Sequence, residues 1–104
     1  MLIGAHVSSA GGIWSAVDRG VEIGCDAIQV FTQSPRMWRP TAHTEEELER
    51  FRTRRRQARV KAVSCHALYL VNLASRDPEV REKSLLALQA TMAYVCLYIF
   101  FRLV

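Results

Sequence analysis

The order of its apolar segments constrains this chain most, because a strand-like run is followed by a helix-like run three times. The strand-like runs contain β-branched residues and cover residues 2–7, 27–32 and 61–65. Each precedes a segment with helical spacing of apolar residues, from Ile13, Thr44 and Asp77 onward. Alternation of this kind predicts parallel strands joined by right-handed crossovers. The expected fold class is therefore α/β, built from three βα units.

Local signals predict where the three helices begin and end. Gly24 is expected to end the first helix, because glycine adopts the left-handed conformation that follows a last helical turn. Thr44 precedes three glutamates, and Asp77 precedes a proline and a glutamate, so both are expected N-caps. The buried stripe of the third helix is expected to comprise Leu85, Leu88 and Met92.

The length of the chain limits it to one small domain, because domains usually hold about 100–200 residues and this chain has 104. Apolar residues make up 50% of it and charged residues 23%, a balance that indicates a folded protein. Three units form about a third of an eight-unit barrel or half of a doubly wound sheet. Both outer strands would then have an unpaired edge, so we expect part of a larger fold. Self-association through these edges is left open.

The net charge of +4 is concentrated rather than evenly spread, since seven of the fourteen basic residues lie between residues 50 and 61. The six arginines among them are expected on the solvated outer side of the second helix. The apolar side of that helix is expected to be formed by Leu48, Phe51 and Ala58. The three cysteines are odd in number and widely spaced, which indicates neither a disulfide framework nor a cysteine zinc site. A reducing cytoplasm is the expected location.

The last third of the chain contains a long uncharged segment, residues 85–101. Its length is at the short limit of about 17–25 residues for a membrane span, and Gln89, Thr91 and two tyrosines dilute its hydrophobicity, so no span is expected. The N-terminus does not resemble a signal peptide, so no export is expected. Residues 93–104 lack a polar face and are expected to be strand-like. We therefore divide the chain into a partial barrel domain, 1–92, and a divergent apolar tail, 93–104, which a frameshift would explain.

The C-terminal ends of the three strands are the places to search for a site, because parallel βα proteins place their sites there. The first of these loops contains His6, followed by small residues and two glycines. It is not a phosphate loop, since no lysine follows and the G-x-G-x-x-G spacing is absent. His6 is a candidate either for a hydrogen-bonded structural histidine or for a ligand.

The second and third loops contain residue types that contact nucleic acids and metals. Arg36 and Trp38 have the guanidinium and ring types that contact phosphates and stack on bases. A solvated arginine and a tryptophan that plugs the barrel explain the same residues equally well. His66 directly follows a strand, where an imidazole binds a metal, relays a proton or has a structural role. Asn72 is expected to tie the turn that contains Tyr69.

Three motifs in these loops, taken together, resemble the endonuclease IV family, the zinc-dependent apurinic/apyrimidinic endonucleases. They are I-G-A-H-V-S-S-A-G-G at residues 3–12, V-F-T-Q-S-P-R-M-W at 30–38 and H-A-L-Y-L-V-N-L-A-S at 66–75. The likeness extends to about residue 92 and corresponds to the N-terminal third of the family's chain. It implies the first three βα units of a truncated TIM (β/α)8 barrel.

The resemblance also implies an activity and its participants. The family hydrolyses the DNA phosphodiester on the 5′ side of an abasic site with a hydroxide held by three zinc ions, which lower the pKa of the attacking water. His66 matches the family's first zinc ligand. Arg36, Tyr69 and Leu70 match the residues that the family inserts into the base stack. His6 matches a family histidine to which we assign no ligand role. The implied partner is double-stranded DNA with abasic sites, and the family's members are monomers.

Departures from the family limit what this chain is expected to do alone. The remaining zinc ligands have no counterpart here, and a zinc site needs three or four, so this chain is expected neither to bind zinc nor to cleave DNA by itself. Two alternatives are kept. One is a metal-dependent sugar isomerase or epimerase with a similar barrel, and the other is a non-enzymatic protein with a membrane-seeking tail. Arg36 and Tyr69 favour DNA, because wedging into a duplex needs them and a sugar pocket does not.

Overall fold

Three βα units follow one another in the computed structural model, which describes residues 1–96. The strands are β1 (Gly4–His6), β2 (Ala27–Val30) and β3 (Ala62–Cys65). The helices are α1 (Ser15–Glu22), α2 (Glu45–Ala58) and α3 (Pro78–Tyr94). The predicted alternation and the α/β class are confirmed, although β1 and β2 are shorter than the apolar runs that contain them.

The strands form one parallel sheet in the order β1, β2, β3. Ile28 of β2 lies opposite both Ala5 and Val63, so the central strand is held on both sides. The core lies between this sheet and the two helices α1 and α2. Its buried side chains include Ile28, Val30 and Val63 from the strands and Val17 and Phe51 from the helices. Burial of these apolar surfaces is the main source of stability in a domain of this kind.

The predicted helix ends are confirmed by their hydrogen bonds. Thr44 forms a capping box, in which its hydroxyl accepts from the Glu47 amide at 3.1 Å and its amide donates to the Glu47 carboxylate at 2.8 Å. Asp77 accepts from the Glu79 amide at 2.9 Å, with Pro78 at the first helical position. Gly24 follows α1 with a φ of +80°, which only glycine adopts without strain.

A glycine at the start of β1 allows the first two strands to approach closely. A Cβ atom at Gly4 would lie 2.2 Å from the carbonyl oxygen of Ala27, well inside van der Waals contact. A Cβ at Gly20, on the buried side of α1, would likewise lie 2.4 Å from a methyl group of Ile28. β1 therefore approaches β2 at Gly4, and α1 approaches β2 at Gly20, two positions that have no side chain.

The basic helix α2 contacts α1 with side chains that the sequence had placed in solvent. Leu48 and Phe51 are buried as predicted. In addition, the Arg50 guanidinium lies 3.5 Å from the centroid of the Trp14 ring, a cation–π contact. Arg54 forms an ion pair with Asp18. Part of the positive charge of α2 is therefore used in packing the two helices.

The stripe predicted for α3 is wrong for Leu85 and Met92, which are 52% and 53% exposed, while Leu88 is half-buried. The buried residues of α3 are instead Ser84, Ala87 and Thr91. The Ser84 hydroxyl accepts from the Asn72 amide at 2.9 Å and donates to the Val80 carbonyl at 2.7 Å. Small side chains let α3 lie close to the third loop, and this close approach turns the larger leucines outward.

The division at residue 93 does not coincide with the end of a helix. Ala93 and Tyr94 continue α3, and Val95 and Cys96 are also helical, so the strand-like prediction is wrong for residues 93–96. Tyr94 packs against the edge of the core. Residues 97–104 of the predicted tail lie outside the described residues. Among residues 1–96, no helix combines the length and the apolar character needed to cross a membrane.

Candidate nucleic-acid interface

Aromatic side chains from all three strand ends meet at the C-terminal edge of the sheet. His6 ends β1, Phe31 follows β2, and His66 follows β3, so parallel pairing brings the three rings side by side. The Phe31 ring is central, with centroid distances of 4.7 Å to His6, 4.9 Å to His66 and 5.4 Å to Tyr69. The two histidine rings are 6.1 Å apart. Both histidines and Tyr69 were candidates from the sequence, whereas Phe31, whose ring contacts all three, was assigned no role.

The tautomer of His66 is fixed by its own loop. Its Nδ1 bonds the carbonyl oxygen of Ala67. A carbonyl can only accept, so Nδ1 carries the hydrogen and the lone pair of the neutral ring lies on Nε2. His6 is held in the same manner, with Nδ1 3.2 Å from the side-chain oxygen of Gln29. Both rings are exposed, so each can present Nε2 to a ligand, as metal-bound histidines do when a carbonyl orients the other nitrogen.

Cys65, which directly precedes His66, does not extend this set of ligands. Its side chain packs against the core, and burial raises the pKa of the Cys65 thiol to about 11. A metal ligand or a nucleophile must be the thiolate, which is scarce at neutral pH when the pKa is this high. Cys65 therefore acts as a small packing residue beneath the exposed histidine.

Slow alkylation of Cys65 is the first expected result. A pKa of about 11 leaves roughly one thiol in a thousand ionised at pH 8, against about a quarter for a free cysteine with a pKa near 8.5. From these ionised fractions alone, Cys65 in the folded chain should react with iodoacetamide about 250-fold more slowly than in the urea-unfolded chain. Its rate should rise about tenfold per pH unit between pH 8 and 10. Mass spectrometry of the tryptic peptide measures this, and equal rates in the two states would contradict the assignment.

The second loop, residues 33–43, is stiffened by one buried amide. The side-chain nitrogen of Gln33, itself only 8% exposed, lies 3.1 Å from the Met37 carbonyl oxygen, 3.5 Å from that of Trp38 and 3.4 Å from that of Arg39. A single donor group thus holds three successive peptide units in a tight curve. Arg36, on the outer side of this curve, is exposed, whereas Trp38 is half-buried.

The third loop is attached to the second through the main chain. The Tyr69 amide donates to the Pro35 carbonyl at 2.8 Å, which brings Tyr69 next to the residue that precedes Arg36. Leu68 is buried and anchors the turn, while Tyr69 is 61% exposed and Leu70 half-buried. The turn that contains Tyr69 is closed by the Val71 amide, which donates to the Leu68 carbonyl at 3.3 Å. Asn72 accepts from the Ala74 amide at 3.1 Å and so ties the next turn, and the predicted tie of the Tyr69 turn by Asn72 is wrong. The arginine, the tyrosine and the leucine of the predicted site are therefore on two joined loops.

A cavity of about 520 Å³ lies between the first and second loops. Its wall includes His6, His43 and Glu47, together with the backbone of the two glycines that follow β1. Hydrogen bonding to the Thr44 amide holds the pKa of the Glu47 carboxyl below its ordinary value, so this wall includes an ionised carboxylate at neutral pH. The cavity adjoins the His6 side of the aromatic cluster.

The described residues do not fit a complete zinc site. Within residues 1–96, no group of three or more histidine, cysteine, aspartate or glutamate side chains is placed to hold a metal ion. A zinc site needs three or four protein ligands. The two histidines at the strand ends present two nitrogen atoms at most, so we derive no chemical step through a metal from this part of the chain.

The arrangement of strands and loops indicates a class of protein. Parallel βα units with a site at the strands' C-terminal ends and joined loops above it are typical of a TIM barrel. A sequence model of the family described as "Xylose isomerase-like TIM barrel" matches residues 17–95. The chain belongs to this family and, within it, to the endonuclease IV group.

Individual relatives agree with this assignment. The chain is 46% identical over 91 residues to a probable endonuclease 4 of Geobacter sp. (strain M21), an alignment that covers 88% of this chain and 32% of the relative. It is 48% identical over 90 residues to a probable endonuclease 4 of Halorhodospira halophila, covering 86% of this chain and 30% of the relative. The crystal structure of endonuclease IV from Thermus thermophilus superposes with a TM-score of 0.86 at 36% identity, covering 92% of this chain and 37% of that one.

The resemblance read from the three loop motifs is therefore confirmed, and so is the assignment to three units of a TIM barrel. The chain spans about a third of the length of the curated relatives it matches.

Proposed function

We propose that this chain forms the DNA-recognition side of an endonuclease IV-type site, which acts in DNA repair by hydrolysing the phosphodiester 5′ to an abasic site. The observation that supports this most directly is the joining of two loops beside an exposed histidine. The Tyr69 amide bonds the Pro35 carbonyl, so Arg36, Tyr69 and Leu70 are presented from a shared main-chain platform. A free sugar needs no such platform, and nothing in the geometry of these loops favours the isomerase alternative.

In this proposal each loop residue has a separate role. Arg36 contacts phosphate or inserts beside the abasic gap, since a guanidinium makes directed bonds to phosphate oxygens. Tyr69 and Leu70 act as apolar wedges, which unstack neighbouring bases and kink the duplex. An abasic nucleotide has no base to unstack or unpair, so extruding it costs less than extruding an intact one.

His66 is proposed as one metal-facing ligand of that site. Two observations support this role: the ring is exposed, and the bond of Nδ1 to a carbonyl leaves the lone pair of the neutral ring on Nε2, as in many zinc-bound histidines. Zinc would supply Lewis acidity and a hydroxide at neutral pH. The other ligands would have to come from outside residues 1–96, and the hydrolysis is therefore a proposal for the assembled site and not for this chain alone.

Preferential binding of abasic DNA is the expected result that tests this function. The 104-residue chain should bind a duplex with a central abasic analogue more tightly than the matched intact duplex, measured by fluorescence anisotropy without added metal. Arg36→Ala and Tyr69→Ala should each reduce the preference about tenfold, the loss of one directed contact or one stacked ring. Arg36→Ala should also lower the slope of log K against log salt by about one if the guanidinium neutralises a phosphate.

Arg56→Ala is the matched control, since Arg56 is an exposed arginine on α2 outside these loops. It removes the same charge, so it should weaken binding to both duplexes equally and leave the preference unchanged. Equal binding of abasic and intact duplexes by the unaltered, folded chain would overturn the proposal. Binding of a free sugar in preference to duplex would instead favour the isomerase alternative.

A further inference from the structure

Tyr94, the last residue of α3, reaches across to the far end of the second loop. Its hydroxyl donates to the Thr41 carbonyl at 3.1 Å and accepts from the His43 amide at 3.4 Å. Its ring stacks edge-on against the His43 ring, with centroids 4.9 Å apart. The tyrosine itself is half-buried against the core, so the position of the hydroxyl is set by packing.

The His43 side chain connects the end of the second loop to the residues that follow the central strand β2. Its Nε2 donates to the Thr32 carbonyl at 2.6 Å, and Thr32 lies at the point where the loop leaves β2. One side chain thus ties the end of the loop back to its beginning. Together, Thr32, Thr41, His43 and Tyr94 make what we call the loop brace.

The loop brace holds the two ends of the segment that contains Arg36. Inside it, Gln33 curls the chain by bonding the carbonyls of Met37, Trp38 and Arg39. Gln33 fixes the shape of the loop, whereas the brace fixes where that shape lies relative to the sheet and α3. A loop held in advance loses less conformational entropy when it binds a ligand, and so binds more tightly for the same contacts.

We propose that Tyr94 and His43 are positioning residues, which hold loop 33–43 so that Arg36 meets DNA in a fixed place. The proposal deepens the function proposed above and rests on it for the part that concerns DNA. The two hydrogen bonds of the Tyr94 hydroxyl that carry it join residues more than fifty positions apart in the sequence. Neither residue touches DNA in this proposal, because their effect acts through the loop.

Removing the Tyr94 hydroxyl is the direct test. Tyr94→Phe keeps the ring stack against His43 but deletes the hydrogen bonds of the hydroxyl to the Thr41 carbonyl and the His43 amide. The His43 amide should exchange with deuterium about 3- to 10-fold faster, as expected for a lost hydrogen bond in a locally opening segment. Trypsin should cleave after Arg36 faster by a similar factor, while the Arg39–Pro40 bond resists it. Amides of α1 and α2 should be unchanged.

Two further variants keep the test falsifiable. Tyr69→Phe deletes a hydroxyl from the tyrosine that contacts the same loop through its amide, so it should leave the cleavage rate after Arg36 unchanged. His43→Leu should open the loop, and His43→Gln should restore it in part, because an amide can still donate to the Thr32 carbonyl. Faster exchange throughout the molecule in Tyr94→Phe would overturn the proposal, since that would show a general loss of stability instead of a loosened loop.

The DNA measurement separates this proposal from the one on which it rests. Tyr94→Phe should lower the preference for abasic over intact duplex about 3- to 10-fold without changing the salt slope, because no charge is removed. An unchanged preference alongside faster loop exchange would overturn the positioning role. If the unaltered chain has no preference for abasic DNA, the proposed function fails, and the exchange and cleavage results still decide whether the brace holds the loop.

Discussion

Phe51→Ala should lower the free energy of unfolding by about 3–5 kcal/mol, the usual cost of truncating a fully buried aromatic ring. Phe51 is only 1% exposed and, within residues 1–96, is the largest of the fully buried side chains, in one core cluster with the strand residues Ile28 and Val63. A domain of ordinary stability has about 5–15 kcal/mol in total. The variant should therefore lose a large part of its stability, which urea unfolding followed by circular dichroism measures.

Leu86→Ala is the control, because Leu86 is 57% exposed on α3 and its truncation leaves no cavity. Its effect should stay within about 0.5 kcal/mol, the range of ordinary surface substitutions. If the two variants unfold at the same urea concentration, Phe51 is not part of a packed core and the position of α2 on the sheet is wrong.

Gly4→Ala should separate β1 from β2. The added Cβ would lie 2.2 Å from the Ala27 carbonyl oxygen, a backbone atom that cannot rotate away. Replacing glycine stabilises a chain by about 0.4–1 kcal/mol through the unfolded state, whereas overpacking costs about 1–3 kcal/mol or more. The cost of the clash therefore exceeds the gain through the unfolded state. We expect the free energy of unfolding to fall by about 2 kcal/mol or more. Hydrogen exchange locates the damage.

Hydrogen exchange in Gly4→Ala should become faster at the amides that join the first two strands. The Val7 amide donates to Gln29 and the Asp26 amide to Ile3, so both should exchange faster in Gly4→Ala. The His66 amide, which donates to Val30 between β2 and β3, should remain protected. Ser64→Ala, at an exposed position of β3, serves as the control and should change neither set. Uniform acceleration of all these amides would mean that the clash unfolds the whole sheet.

Features that depend on local chemistry could be predicted from the sequence. Thr44 and Asp77 cap their helices because a side-chain oxygen reaches an amide two or three residues away, which any chain with that spacing can do. Gly24 ends α1 for an equally local reason, its freedom to adopt a positive φ. The positions of the three loops followed from the strand order alone, because parallel strands bring their C-terminal ends to one edge.

Features that depend on which surfaces meet could not be predicted. Hydrophobic spacing favoured Leu85 and Met92 as the buried side of α3, but burial follows contact with the third loop, where the small Ser84 bonds the Asn72 amide. Phe31 was counted in the second strand and in the second motif but was given no role, although its ring lies between the two histidines. A signal existed there, since an aromatic residue directly after a central strand must face the same edge as its neighbours.

The proposed roles of His66, Arg36, Tyr69 and Leu70 came from the resemblance and remain predictions for the binding experiments. Without the resemblance, the residues indicate only that an imidazole and two exposed loops lie at one edge of a sheet. The exposed ring of His66 and the junction between the loops support those roles and do not replace the measurement.

The junction between the loops is made by peptide groups, the Tyr69 amide and the Pro35 carbonyl, and this has a consequence for how recognition can change. Backbone atoms are the same whichever side chains stand at positions 36, 69 and 70. These three positions can therefore be randomised together while the scaffold that displays them stays constant. Selecting such a library for binding to damaged duplex would identify the side chains that recognise the damage, while the backbone that carries them stays the same.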